Sequence, residues 1–288
     1  MANKSGSSGV ISLPKGGGAL HGIGEKFSPD LFTGTGNFTV PIALPPGRNG
    51  FQPQLNLVYS TGNGNGPFGL GWSLSIPGVS RKTSKGVPRY DEARDVFILS
   101  GAEDLVPVER PSDTTTRYRP RTEGLFARIL HHRDTSDNYW EVRSKDGLVS
   151  LYGTPRPNLE PPGWSDPSLI RDPDPLKQHH IFAWKLTETR DPFGNRIQYE
   201  YIHDSGEQGA HKWGQPLLQH IRYADYSDQG GTNYLVSVTF EYEDRPDPFS
   251  EYRAGFENRT TKRCRRIIVQ THAGQDRSVR EYLSVLRQ

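Results

Sequence analysis

The chain has few of the residues on which several functional classes depend. It has one cysteine, Cys264, in 288 residues, which excludes an intrachain disulfide framework and a cysteine-ligated zinc cluster. Lys and Arg total 35 and Asp and Glu total 33, so the net charge of +2 creates no overall field for nucleic acid or an anionic membrane. No run approaches the roughly 20 apolar residues of a membrane span. We therefore expect no nucleic-acid partner and no direct membrane insertion.

The first ten residues lack the apolar core of a secretory signal. We expect synthesis in a reducing cytoplasm and, if the protein is secreted, export by a route that needs no such signal. Residues 1–18 are rich in Gly, Ser and Lys and predict a flexible N-terminal tail ahead of one β-rich domain at residues 19–288.

Glycine and proline are abundant, at 31 and 23 residues, while hydrophobic residues make up only 33%. Helical proteins avoid so many chain-breaking residues, whereas all-β proteins with many turns tolerate them. Alternating apolar stretches predict short antiparallel strands at residues 38–44, 54–60, 70–76, 95–100, 104–108, 139–143, 148–152, 182–186, 197–201, 236–242 and 263–270. Residues 155–180 carry seven prolines and predict a long surface loop. The sequence predicts an all-β fold with long loops.

A G-x-G-x-x-G pattern is formed by Gly64, Gly66 and Gly69 after a strand-like run. A dinucleotide site would need a helix next, with the pyrophosphate on its free N–H groups. Instead Gly71 and Trp72 open a stretch with a period of two, which is typical of a strand. We interpret the pattern as a glycine-rich turn between two strands and expect no cofactor.

A second turn signal lies in the second half of the chain. Asp191, Gly194 and Asn195 are turn formers, since Asp bonds its own backbone and Gly or Asn accepts left-handed geometry. Tyr199 and Tyr201 follow on one face of a predicted strand, where aromatic rows stack between neighbouring strands. A carbohydrate-stacking role for these tyrosines is the alternative interpretation.

Three N-terminal stretches, at residues 11–27, 36–42 and 69–74, resemble the opening of the SpvB family. That family covers the N-terminal regions of a Salmonella plasmid virulence protein and of the B components of insecticidal toxin complexes. Residues 191–201 are similar to the D-x-x-G-N-x-x-x-Y-x-Y pattern of Rhs/YD-repeat proteins. The likeness spans roughly residues 11–270.

The resemblance implies a structural part rather than an enzyme. In such toxins the B and Rhs-type C components build a hollow β-shell around a toxic C-terminal segment, and the B component docks this shell on a pore-forming A component. We therefore expect a large curved sheet, a piece of a longer polypeptide, partners in the C and A components, and a secreted location. The alternatives are a surface module that binds glycans or a receptor, and a virulence protein linked to an ADP-ribosyltransferase but lacking its catalytic domain.

Three further patterns are weak candidates for chemistry. Glu241 and Glu243 form an E-x-E of the kind found in ADP-ribosyltransferases, but they end an amphipathic strand and are better explained as a solvated face. The pairs His131–His132 and His179–His180 place adjacent rings on opposite sides of an extended chain, so neither pair predicts a metal site. The basic run at residues 262–266 divides its charge between two faces and predicts an edge strand guarded by charges. We expect no catalytic or metal-binding residue.

Overall fold

The computed structural model describes residues 26–30, 35–100, 103–122, 126–135, 137–157, 163–228, 231–273 and 277–283. The predicted flexible tail at residues 1–18 lies outside them. The described residues are almost entirely antiparallel β-strands, which confirms the predicted all-β class. They contain two short 3-10 turns, Arg48–Gly50 and Pro175–Lys177.

The N-terminal strands form a small antiparallel sheet in the order β1-β2-β3-β4. Its strands are β1 (Lys26–Asp30), β2 (Thr35–Pro41), β3 (Asn56–Ser60) and β4 (Trp72–Leu74). Ile42 and Leu55, just beyond the ends of β2 and β3, belong to the main hydrophobic core. The small sheet is therefore packed on the rest of the molecule.

The central strands form an eight-stranded, barrel-like closed sheet. They are β5 (Gly78–Arg81), β6 (Phe97–Leu99), β7 (Glu103–Ser112), β8 (Thr115–Pro120), β9 (Ala127–Arg133), β10 (Asn138–Ser144), β11 (Val149–Tyr152) and β13 (Ile181–Arg190). Strands β5 to β11 form a meander, and β13 closes it by pairing with both β5 and β11. An antiparallel barrel of this kind leaves no open sheet edge around its circumference.

Large side chains fill the barrel. Phe97, Trp140 and Trp184 are fully buried and pack edge to face, with ring centroids 4.9 Å apart for Phe97 and Trp140 and 5.9 Å apart for the two tryptophans. Burying a side chain of this size contributes roughly 1.5–3 kcal/mol to the free energy of folding. The barrel is thus a packed core.

The second half of the chain forms long strands that extend the sheet from β13. These strands, which we call the large sheet, are β14 (Arg196–Gln208), β15 (His211–Asp228), β16 (Gly231–Glu251), β17 (Asn258–Thr271) and β18 (Arg277–Leu283). They are longer than the short strands we expected. Strand β16 passes through Pro246 and Pro248 by shifting its register against β17 between Asp244 and Phe249.

The proline-rich stretch at residues 155–180 is not purely a surface loop. Its described part contains a short strand, β12 (Leu169–Arg171), that pairs with β13. Asp166 is buried and its carboxylate accepts hydrogen bonds from the backbone N–H of Thr154 and from the backbone and hydroxyl of Ser168. This carboxylate supplies an acceptor to donors of Thr154 and Ser168, which lie outside the regular strands, so the segment can be buried.

The predicted charged edge strand is right only in part: β18 pairs with residues 266–271 of β17, whereas residues 262–265 of the basic run have β16 as their only strand partner among the described residues. A bulge at Arg265 reverses the alternation of β17, so Arg263 pairs with Glu243 and Arg266 with Glu241 on the same face. The basic run is neutralised by the neighbouring strands.

Candidate functional site

The glycine-rich turn joins β3 to β4, as predicted, and we call residues 61–71 the glycine loop. Strand β4 returns beside β3 with Trp72 opposite Tyr59. Gly69 and Gly71 have φ values of +100° and +79°, a region that L-residues rarely adopt. A Cβ atom on Gly71 would also lie 2.5 Å from the Tyr59 ring. The turn therefore needs glycine for its backbone geometry.

Contacts with the large sheet hold the glycine loop in place. The backbone N–H of Cys264 donates to the Pro67 carbonyl oxygen over 2.7 Å. The buried Arg245 side chain donates to the Gly66 carbonyl oxygen over 3.2 Å. Phe68 packs edge to face on Phe240, with ring centroids 6.4 Å apart. The loop is thus fastened to β16 and β17.

A cavity of about 600 Å³ lies between the glycine loop, β13 and the large sheet. Its aromatic lining residues are Phe68, Trp72, Tyr201, Tyr242 and Phe249. Leucines and isoleucines from β4, β12 and β15 complete an apolar wall. Its volume lies within the range of small-molecule pockets, although it is open to solvent on one side. We call it the lysine cavity, because the side chain of Lys185 lines it.

Lys185 is the least expected group in this wall. Its side chain makes no hydrogen bond or ion pair with any of the described residues. Burial lowers the pKa of its amine below the ordinary value for lysine. Sequence reasoning missed this residue, since a single lysine in an alternating strand reads as solvent-exposed.

The lysine cavity brings together some of the residues that the sequence singled out. Gly64, Gly66, Trp72 and Tyr201 line it, although they are up to 137 positions apart in the chain, from 64 to 201. Gly69 and Gly71 shape the turn beside it. The sequence could not predict this grouping, because it depends on how the small sheet packs on the large sheet.

The remaining predicted residues lie elsewhere. Asp191, Gly194 and Asn195 form the turn between β13 and β14, where the Asp191 carboxylate accepts the backbone N–H of Phe193 and of Asn195, each over 2.9 Å. Gly194 has a φ of +87°. The turn chemistry is therefore as predicted.

Tyr199 is buried and Tyr201 is half-buried, but they do not form the expected stacked row. No ring contact involving either tyrosine occurs within the part of the chain that the structure describes. A register shift of β14 against β15 lies between Glu200 and Tyr201. The Tyr201 hydroxyl donates to the Leu186 carbonyl oxygen over 2.9 Å, which ties β14 to β13.

A cluster of charged residues surrounds Arg81, which is buried in the barrel. The guanidinium of Arg81 donates to Asp95 over 2.8 Å, to Glu92 over 2.7 Å and, through Nε, to the Ile181 carbonyl oxygen over 2.9 Å. It also lies 4.8 Å from the centre of the Phe97 ring. Each of the three guanidinium nitrogens therefore donates to a structural partner, which is the arrangement of a structural ion pair.

The weak candidates for chemistry do not form a catalytic centre. Glu241 and Glu243 are both bound by arginines of β17, and Glu241 accepts two guanidinium hydrogen bonds from Arg266, over 2.8 and 2.9 Å. This pairing holds the pKa of Glu241 below its ordinary value. Burial raises the pKa of the Cys264 thiol to about 12, so its basic neighbours do not activate it.

His131 and His132 take up different positions, as expected, whereas the rings of His179 and His180 contact each other, with centroids 4.4 Å apart, because these two residues lie at a turn and not in an extended strand. His131 is buried inside the barrel, while His132 stacks on Tyr139 with ring centroids 4.7 Å apart. Across the described ranges, no group of three or more His, Cys, Asp or Glu side chains is arranged to hold a metal ion. No helix in those ranges has the length and apolarity of a membrane span.

The residues that form the glycine turn and most of the large sheet lie within the match to a known family model. The family model described as "Salmonella virulence plasmid 65kDa B protein" matches residues 31–240 and 218–273. The chain belongs to the SpvB family. Relatives named Mono(ADP-ribosyl)transferase SpvB, from Salmonella choleraesuis and Salmonella typhimurium, are 29% identical over 91% and 90% of this chain. The chain spans about half the length of these relatives, 50% in each case.

Solved structures show the same fold both as an isolated domain and as a segment of a much longer chain. The N-terminal domain of the effector protein SpvB from Salmonella typhimurium matches 85% of this chain and 92% of that domain, with a TM-score of 0.70 and 26% identity. The TcdB2–TccC3 structure matches 96% of this chain with a TM-score of 0.76 and 26% identity, but only 16% of its own length. A Photorhabdus luminescens Tc holotoxin pore gives a TM-score of 0.75 at 25% identity. The fold is that of the SpvB N-terminal domain and of the matching segment of the TcdB2–TccC3 structure.

Proposed function

We propose that this chain is a non-catalytic wall segment of a toxin-complex B component. It contributes strands to a β-shell that encloses the toxic C-terminal part of an Rhs-type C component. The protein lies in the cytoplasm before release and acts outside the producing cell. A pore-forming A component is its partner through parts of the polypeptide beyond this segment.

The match to TcdB2–TccC3 carries this proposal. It includes the barrel and the large sheet together, since 96% of the chain is covered. A wall must be stiff and continuous, and one hydrophobic core runs from the barrel into β14 to β17 through residues such as Trp184, Ile221 and Val238. Similarity to the shell and to the SpvB N-terminal domain supports a structural segment.

The ionisable groups favour a structural role over a transferase role. The Salmonella relatives carry the name of a mono(ADP-ribosyl)transferase, but this chain corresponds to half of each and to the separately solved N-terminal domain. Its E-x-E carboxylates, Glu241 and Glu243, are held by Arg266 and Arg263. A carboxylate committed to two guanidinium bonds is poorly placed to act on a substrate.

A chimera tests the proposal directly. Residues 26–283 of this chain replace the matching segment of TcdB2, and the chimera is co-expressed with TccC3. We expect a closed particle in electron microscopy, co-purification of both chains, and protection of the enclosed C-terminal part of TccC3 from added protease.

The matched control lacks the segment altogether. Deleting it should open the shell, so that the enclosed part of TccC3 is digested while the rest of the particle survives. A chimera that folds, as judged by its circular dichroism, but neither binds TccC3 nor protects its C-terminal part would refute the wall role.

A further inference from the structure

The lysine cavity contains an amine that the fold itself does not require. On β13, Trp184 and Leu186 belong to the hydrophobic core, so the intervening Lys185 points to the opposite face, into the cavity. The backbone of Lys185 is fully used, since its N–H donates to the Ser168 carbonyl oxygen and its carbonyl oxygen accepts from Gly153. An alanine or leucine would satisfy the strand equally well.

The charges around the cavity leave one positive charge uncompensated. The charged lining residues are Lys185, Arg253 and Glu251, which give +2 − 1 = +1. Glu251 is bound by the Arg253 guanidinium and makes no ion pair with Lys185. Lys185 is half-buried, and an ammonium with reduced hydration and no counter-charge is unfavourable, so the site favours an anion of charge −1 beside Lys185.

The walls define the rest of the ligand. Trp72, Tyr201 and Tyr242 present ring surface, and the hydroxyls of both tyrosines are directed at backbone carbonyl oxygens, of Leu186 and Leu218. Aromatic walls whose polar atoms are already bonded favour a flat apolar body. A phosphate dianion would exceed the available charge and gain little from these walls.

We propose that the lysine cavity binds a small monocarboxylic acid with a flat apolar body, whose carboxylate pairs with the Lys185 ammonium. The glycine loop closes one side of the site, so the turn that the sequence singled out also forms part of a ligand pocket. A neighbouring carboxylate stabilises the charged form of the lysine and offsets its desolvation. This site is separate from the wall role, which needs no ligand.

The test uses 2-naphthoate as the probe and 2-naphthamide as its neutral counterpart. Binding to the full 288-residue chain is measured by isothermal titration calorimetry. We expect naphthoate to bind the wild-type protein about tenfold or more tightly than naphthamide, the effect of one charge-assisted hydrogen bond. Lys185→Met should weaken naphthoate binding by a similar factor, whereas Lys145→Met, at an exposed turn, should leave it unchanged.

A second measurement uses only the wild-type protein, in case Lys185→Met does not fold. Acetic anhydride modifies lysines, and peptide mass spectrometry measures the extent at each site. Naphthoate should protect Lys185 and leave Lys145 unprotected, and naphthamide at the same concentration should protect Lys185 less. Equal binding of the two probes, an undiminished affinity in a folded Lys185→Met variant, the absence of naphthoate binding, or unprotected Lys185 would each overturn the proposal.

Discussion

The imidazole of His131 lies flat on the indole of Trp140 inside the barrel, with ring centroids 4.1 Å apart and planes 2° apart. Its Nε2 is 2.9 Å from the Asn138 side-chain oxygen, which also accepts the Trp184 indole N–H over 3.0 Å. An amide oxygen that accepts from both rings requires Nε2–H, so the neutral imidazole has a fixed tautomer. A histidine is thereby built into the aromatic core.

This burial predicts a loss of stability in acid. Burial lowers the pKa of His131 from 6.5 to about 4, against the opposing effects of Glu92 and Asn138 and with a smaller contribution from Arg133 and Arg81. Between pH 6.5 and 4 the unfolded chain binds more protons than the folded one, so the free energy of unfolding falls as the pH falls. The loss reaches about 3 kcal/mol. Urea unfolding at several pH values measures it.

The histidine variants separate this effect from general acid sensitivity. His131→Gln removes one titrating group and should reduce the slope of unfolding free energy against pH between 6.5 and 4, whatever its effect at pH 7; the other histidines whose pKa burial lowers keep part of that slope. His179→Gln, at an exposed position, should keep the wild-type slope. An unchanged slope in His131→Gln would show that other groups cause the acid loss.

The buried arginine predicts a large effect from a single neutral substitution. Arg81→Met removes the buried partner of Glu92 and Asp95 and leaves two carboxylates partly buried; Glu92 keeps its pair with Arg133, and Asp95 stays tied to the backbone of Tyr90. Removing one partner of a buried ion pair costs roughly 3–5 kcal/mol. Thermal unfolding at pH 7 measures the loss.

The control for Arg81 is an exposed arginine in the same region. Arg94 forms an i,i+3 pair with Asp91 at the surface, and Arg94→Met should change the free energy of unfolding by less than about 1 kcal/mol. Similar losses for both variants would contradict the structural role of the buried pair.

The sequence allowed the strand class and the turns to be predicted because both depend on local chemistry. The period of two at Trp72, the Asp-Gly turn at Gly147 and the turn at Asp191 are set within a few residues and occur as predicted. Closure of the barrel is different. It depends on β13 pairing with β5, about 100 residues earlier, and no local pattern marks that contact.

The predictions that were incomplete at the candidate site, like the closure of the barrel, depend on features that the local sequence pattern does not show. The bulge at Arg265 reverses which arginines face Glu241 and Glu243, and a period of two cannot anticipate one extra residue. We did not predict a role for Lys185, because the alternating pattern of β13 does not show which of its two faces is covered by another part of the fold.

The Asp191 turn predicts a moderate and specific loss. Asp191→Ala removes the acceptor for the backbone N–H groups of Phe193 and Asn195, and for the Asn195 side chain. Losing such a local acceptor costs about 1–2 kcal/mol, as at a helix N-cap. Urea unfolding checks this value. Asp146→Ala, at the exposed Asp-Gly turn, is the matched control and should lie within about 0.5 kcal/mol of wild type.

The glycine loop offers the sharpest contrast within one motif. Gly71→Ala forces an L-residue to a φ of +79° and places its Cβ against the Tyr59 ring, so we expect a loss of about 2–4 kcal/mol in urea unfolding. Gly64→Ala meets nothing within 4 Å and has no positive φ, so it should change stability by less than about 1 kcal/mol. Because both glycines belong to the same loop, an equal loss in the two variants would mean that loop flexibility, rather than the Gly71 backbone geometry, determines the cost.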